Sequence, residues 1–166
     1  MNCIFRKIQK EDIESIWALF QWLKEEKIDM SFAEVKDREE ILDFIDNPAQ
    51  LTYVAVSEEN PHEVLCLVKG RREMTAEKRH SAFLSAATHP KARGTGLVAK
   101  LTEYALEEMK KEGVTIARIY VYSNNKSSMS AIKKLDFIHA GTVLRHHKDP
   151  FTGAYVDDQI YHKILD

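Results

Sequence analysis

The stretch "HPKARGTGLVAKL", residues 89–101, decides how this chain folds. Upstream of it "RHSAFLSAATH" reads as a β-strand, and Pro90 stops that strand. Downstream, Leu97, Leu101, Tyr104, Ala105 and Met109 recur at helical spacing until Lys110 and Lys111 precede Gly113, a helix C-cap. Between the two lies Arg93-Gly94-Thr95-Gly96. A strand that enters a helix through such a loop leaves the first helical N–H groups without intrahelical partners and adds the positive end of the helix dipole at the same point. That nest suits an anion, and glycine lets a phosphate approach with no Cβ in the way. Arg93 supplies a cation, and no Asp or Glu occurs between His89 and Leu101. A pyrophosphate fits this arrangement, although two glycines in that place also make a plain tight turn. No Lys-Ser or Lys-Thr pair follows the second glycine, which disfavours a nucleotide P-loop.

Working outward, "NCIFRKI" forms a first strand, and Ile13, Ile16, Trp17, Phe20 and Leu23 mark an amphipathic helix behind Glu11 and Asp12. Asp37 caps a shorter helix carrying Ile41, Leu42 and Ile45, which Asn47-Pro48 ends. "LTYVAVS", "EVLCLVKGRREM" and "RHSAFLSAATH" follow as an antiparallel meander, joined by "EENPH" and by a polar hairpin around Thr75–Lys78. After the glycine loop and its helix, "VTIARIYVYS" is a central strand, and Ser128, Ala131, Ile132 and Leu135 describe another short helix. "FIHAGTVLRHH" and "AYVDDQIYHKIL" close the chain around a turn at "KDPFTG". The order β-α-α-β-β-β-α-β-α-β-β predicts an α+β fold with one mixed, mostly antiparallel sheet flanked by helices in three layers. A ligand is expected where the carboxyl ends of the strands meet the crossover helix.

Composition narrows the function. The 166 residues suit a single domain over 1–166. A net charge of −2 with mixed signs points to neither nucleic acid nor an anionic membrane, so small-molecule partners are expected. Cys3 and Cys66 are too few for a disulfide framework or zinc cluster, and seven His residues without a paired motif argue against a metal site. The N-terminus lacks an apolar signal core, which suggests a cytoplasmic protein.

These features resemble the GCN5-related N-acetyltransferases (GNAT superfamily). Arg93, Gly94, Thr95, Gly96, Leu97 and Val98 follow that family's acetyl-CoA loop, Arg or Gln, two residues, Gly, one residue, Gly or Ala, except at Val98; Ala99 is adjacent but out of register. Asn125, Ser128, Ala131, Ile132, Leu135 and Asp136-Phe137 track the family's second motif, and the likeness spans essentially the whole chain. It implies acetyl-CoA as co-substrate and an acetyl-accepting primary amine on a small molecule or protein. The residues from Arg93 to Ala99 would then hold the cofactor with Asn125, Ser128 and the backbone of Ala86, Ala87 and Thr88. Asn125 is equally a helix N-cap by residue type. Dimers are common among proteins of this kind, so a homodimer is possible.

The chemistry implied is direct attack of the amine on the thioester, with a backbone N–H near Ala87 or Thr88 stabilising the oxyanion. One such donor is worth ~3 kcal/mol, and bringing the reactants together ~7 kcal/mol or more. Relatives often place a Tyr acid where this chain has Ile132. The relatives that acetylate the N-terminal alanine of a ribosomal protein place a Glu base where it has Tyr120. Tyr120, Tyr122 and Ser123 are the candidate acids, although Tyr120 and Tyr122 share one strand face and equally suit packing; water could also protonate the thiolate. Glu73, His139, His146 and Asp158 are candidate bases, and His89 is expected to face away. "KEEKIDMSFAEVKDREE", with Met30 and Phe32, suits a cationic amine with an apolar part, whereas "LRHHK" favours a substrate carboxylate. The alternative is a non-catalytic acyl-CoA sensor on the same fold, motivated by Ile132. The remaining reading, an interaction domain with a structural glycine loop, requires that CoA not bind.

Overall fold

The computed structural model describes residues 2–27 and 35–166. Met30 and Phe32 lie outside the described residues. The strands are β1 (Cys3–Lys7), β2 (Gln50–Ser57), β3 (Val64–Arg71), β4 (Ser81–Thr88), β5 (Ile116–Tyr122), β6 (Ile138–Lys148) and β7 (Tyr155–Ile164). The helices are α1 (Ile13–Glu25), α2 (Arg38–Asp46), α3 (Leu97–Lys111) and α4 (Lys126–Lys134). The element order is the expected one.

All strands join one sheet in the order β1-β2-β3-β4-β5-β7-β6. Every neighbouring pair is antiparallel except β4 with β5, whose pairing is parallel and ends after Ser81↔Ile116, Ala82↔Ala117 and Phe83↔Arg118. Each of these two strands completes its ladder on the outer side only: β4 pairs β3 up to Thr88, and β5 pairs β7 up to Tyr122. The sheet therefore opens between them toward the glycine loop.

Alternation along the strands builds one core on each face. On one face Leu101, Ala105 and Met109 of α3 and Ile132 of α4 pack over Cys66, Val68, Leu84, Ala117 and Tyr161. On the other, Ile16, Phe20 and Leu23 of α1 and Ile41 and Phe44 of α2 cover Val54, Leu67 and Ala87. Because paired residues share a face, Phe83, Arg118, Tyr120, Tyr122 and Asp158 all lie on the α1–α2 side.

Two details depart from the sequence reading. β3 stops at Arg71, short of the predicted Met74, because Arg72 turns aside: its N–H donates to the Ala49 carbonyl at 2.9 Å and its guanidinium to the Glu112 carbonyl at 2.9 Å. Lys10–Asp12 forms a 3₁₀ turn before α1, and Asp12 is buried, accepting two 2.8 Å hydrogen bonds from the Arg6 guanidinium and a third from the Gln9 N–H. Among the described residues no helix is long and apolar enough to cross a membrane.

α3 packs tightly on the sheet at Gly70, where a Cβ would lie 2.6 Å from Met109 Cε and 3.4 Å from the Ala82 Cβ. Alanine there displaces only the flexible end of Met109, whereas a branched side chain overpacks the site. Gly70→Val is expected to cost about 1–3 kcal/mol and to lower the thermal midpoint by roughly 2 to 10 °C. An unchanged midpoint in a melting experiment would refute this packing constraint.

Candidate active site

The loop after β4 owes its shape to two glycines. Pro90–Ala92 makes a single 3₁₀ turn, capped by the His89 side chain, which accepts from the Lys91 N–H. The backbone then needs the left-handed region at Gly94 (φ 74°) and again at Gly96 (φ 77°), the N-cap of α3. Thr95 braces the loop: its hydroxyl donates to the Ala92 carbonyl at 2.6 Å and accepts from the Leu97 N–H. Among the described residues the N–H groups of Gly94, Thr95 and Gly96 have no partner, and Val98 and Ala99 occupy the first turn of α3, where no i−4 carbonyl reaches. A Cβ built on Gly94 or Gly96 meets open space, so both glycines serve the backbone geometry.

Arg93 behaves differently from the expectation of a cation serving the loop. Its guanidinium binds Glu26 Oε2 at 2.7 Å, and Glu26 also accepts from the Trp22 indole N–H. This pairing holds the Glu26 carboxyl below its usual range. Trp22 packs edge-on against His89, with ring centroids 4.9 Å apart. The last turn of α1 thus clamps the loop from the side. His89 is buried, which pushes its imidazole below the usual range, with Lys91 adding to the effect.

Ala86, Ala87 and Thr88 end β4 on the margin of the opening in the sheet, and Ile119–Tyr122 form the facing margin on β5. From the last shared pair, Phe83↔Arg118, four further residues bring Ala87 and Tyr122 to the same height across the opening. Among the described residues the inward edges carry no strand partner, so their inward-facing amide groups are available to an extended ligand. Asn125 takes its capping role: Oδ1 accepts from the Ser128 N–H at 3.2 Å and opens α4. Ile132 is buried in the α3–α4 core and carries no polar group to replace the absent Tyr.

Of the candidate acids, Tyr120 is partly exposed and packs edge-on against Phe83 at 5.0 Å. Tyr122 lies flat on His147, with centroids 4.1 Å apart. Ser123 is engaged in the backbone, its hydroxyl accepting from the Asp157 N–H. The candidate bases separate cleanly. Glu73 pairs with Lys78 in the loop at the opposite end of β4, and His139 bonds Gln159 at 2.8 Å beside Tyr161 on the α3–α4 face. His146 and Asp158 come together: Nδ1 meets Asp158 Oδ2 at 2.8 Å. Asp158 is buried opposite Tyr122, and among the described residues its Oδ1 has no hydrogen-bond partner. Their separation of twelve residues has no sequence signature, because a bulge at 144–146 in β6 makes the contact.

Beside the opening, on the α1–α2 face, a cavity of about 660 Å³ runs between α2 and β3–β4. Asp37, Glu40 and Asp43 line one side and Lys69, Arg71 and Phe83 the other. Burial lowers the Lys69 ammonium to about 8, Arg71 reinforcing and Asp43 opposing the shift; its Nζ sits 4.1 Å above the Phe44 ring. Among the described residues no group of His, Cys, Asp and Glu could hold a metal ion.

Comparison with known proteins agrees with this architecture. A sequence model of the acetyltransferase (GNAT) family matches residues 16–137. An acetyltransferase of the GNAT family from Streptococcus pneumoniae superposes with a TM-score of 0.85 at 18% identity, covering 98% of this chain and 99% of the other. The ribosomal-protein-alanine N-acetyltransferase of Brucella melitensis gives 0.83 at 20% identity over 97% and 99%. The yncA protein of Salmonella typhimurium, solved with its cofactor acetyl-CoA, gives 0.84 at 17% over 99% and 94%. No curated protein sequence matches significantly. With a family model matched over most of its length and the fold shared with acetyltransferases of that family, the chain belongs to the GNAT family of acetyltransferases.

Proposed function

We propose that this protein is a cytoplasmic enzyme that transfers the acetyl group of acetyl-CoA to a primary amine by direct attack within a ternary complex. The observation that carries the reading is the parting of β4 and β5 after Phe83↔Arg118, beside a glycine loop in which the N–H groups of Gly94, Thr95 and Gly96 have no partner among the described residues. The residues fit the co-substrate in two places. Gly94, Thr95, Gly96, Val98 and Ala99 offer N–H donors and the helix dipole to a pyrophosphate. Ala86, Ala87 and Thr88 offer the free edge of β4 to the pantetheine amides and thioester oxygen. Asn125 retains its amide N–H₂ while its oxygen caps α4.

The amine enters from the α1–α2 face. Asp158 accepts the Nδ1–H of His146 and leaves Nε2 to take the proton that the ammonium must lose before attack. Tyr120 is better placed than Tyr122 to protonate the departing thiolate, since the Tyr122 ring is held against His147. Binding without transfer, the sensor reading, draws on the buried Ile132.

Saturating acetyl-CoA is expected to raise the thermal midpoint by roughly 5 to 10 °C, the ~2.7 kcal/mol of a hundredfold excess over Kd, with ATP as the phosphate-bearing control. No shift at millimolar ligand would end the acetyltransferase reading; a shift without thiol release on any amine would favour the sensor. His146→Gln and Asp158→Asn should each lower kcat/KM about 10²-fold with the KM for acetyl-CoA unchanged. Full activity in both variants would remove the pair from the mechanism.

A further inference from the structure

The register of the sheet aligns Arg71 of β3, Phe83 of β4 and Arg118 of β5 in one row on the α1–α2 face. The two guanidinium groups flank the same ring, at 5.8 and 5.7 Å from its centroid. Neither forms an ion pair among the described residues, whereas Arg6, Arg38 and Arg93 each bind a carboxylate. Lys69, two residues before Arg71 and so on the same face, lines the same wall of the cavity. Arg71 and Arg118, neither of them ion-paired among the described residues, together raise a positive potential beside the ring that an anion relieves.

Arg71 and Phe83 of this row line the cavity described above, whose volume of about 660 Å³ suits a small molecule, and Arg118 stands on the far side of the Phe83 ring. Its other wall carries Glu40 and Asp43. An ammonium is drawn to one wall and an anion to the other. The acyl subsite at Ala86–Thr88 begins three residues beyond Phe83 along β4, about 10 Å at the rise of an extended strand, and arginine side chains span part of that distance.

Resting on the acetyltransferase reading, we propose that the acceptor is a small amino-carboxylic acid whose carboxylate is held by Arg71 and Arg118 over the Phe83 ring while its amine reaches the thioester. Arginine suits this role because its planar fork binds both carboxylate oxygens. The phenylalanine ring beneath gives each guanidinium an apolar face to rest on.

The test compares an amino-acid series, glycine, β-alanine, 4-aminobutyrate and 6-aminohexanoate, with n-alkylamines of matching length, by thiol release from acetyl-CoA. The best amino acid should exceed its alkylamine by about tenfold or more in kcat/KM, the size of a charge-assisted hydrogen bond. Arg71→Gln and Arg118→Gln should each raise the KM for that amino acid by about tenfold, leaving the KM for acetyl-CoA and the rate with the alkylamine unchanged. Arg118→Lys should recover part of the loss. Alkylamines used as well as the amino acids, or an amino-acid KM unmoved in both Arg→Gln variants, would overturn the proposal while acetyl-CoA still raises the thermal midpoint. Absence of that midpoint shift would instead overturn the acetyltransferase reading, and this proposal with it.

Discussion

The parallel pairing of β4 with β5 lasts for three residue pairs and then stops, and the site is arranged around that interruption. Each strand stays paired on its outer edge, β4 with β3 and β5 with β7, so the sheet holds together across the opening while the inward edges keep backbone groups free for a ligand. Right-handed twist carries the two half-sheets apart beyond Phe83. The crossover through α3 then sets the glycine loop over the mouth of the opening.

What keeps that loop in place comes from elsewhere in the chain. Gly70 lets α3 sit close on β3 against Met109, which fixes the height of its N-terminus. From the side, Trp22 against His89 and Glu26 on Arg93 tie the end of α1 to the loop. The Arg93–Glu26 pair is partly exposed and contributes little to stability on its own. Its effect is on charge: the Arg93 guanidinium faces Glu26, and the backbone N–H groups and the dipole of α3 are the remaining positive features of the loop.

The α1–α2 face has a distinct electrostatic pattern. Carboxylates of α2 confront Lys69 and Arg71 across the cavity, Arg118 continues the cationic row onto β5, and the His146–Asp158 pair stands beyond Tyr122 on β7 and β6. On the route proposed above, a substrate passes groups of both signs on its way to Ala86–Thr88. In the proposed reaction, substrate selection falls to this face and cofactor binding to the loop and the opening.

The element order, the helix ends at Asp37, Gly96 and Gly113, and the nest at Gly94–Gly96 were legible in the sequence because each depends on neighbours in the chain: an Asx cap, a positive φ, a hydrophobic period. The family resemblance was legible for the same reason, its motifs being contiguous. Asn125 could be read as a cap or as a ligand contact, and the structure shows the cap without removing the amide that could serve the other role. Pairings across the sheet were not legible. That Arg93 meets Glu26, that His146 meets Asp158 while His139 turns to the opposite face, and that Arg71, Phe83 and Arg118 form one row all depend on strand register and on a bulge in β6. A one-residue slip in register would send every such side chain to the other face. Local chemistry thus determined the loop and the order of elements, and only the tertiary structure, through register and the packing of α1, decided which charged groups face one another.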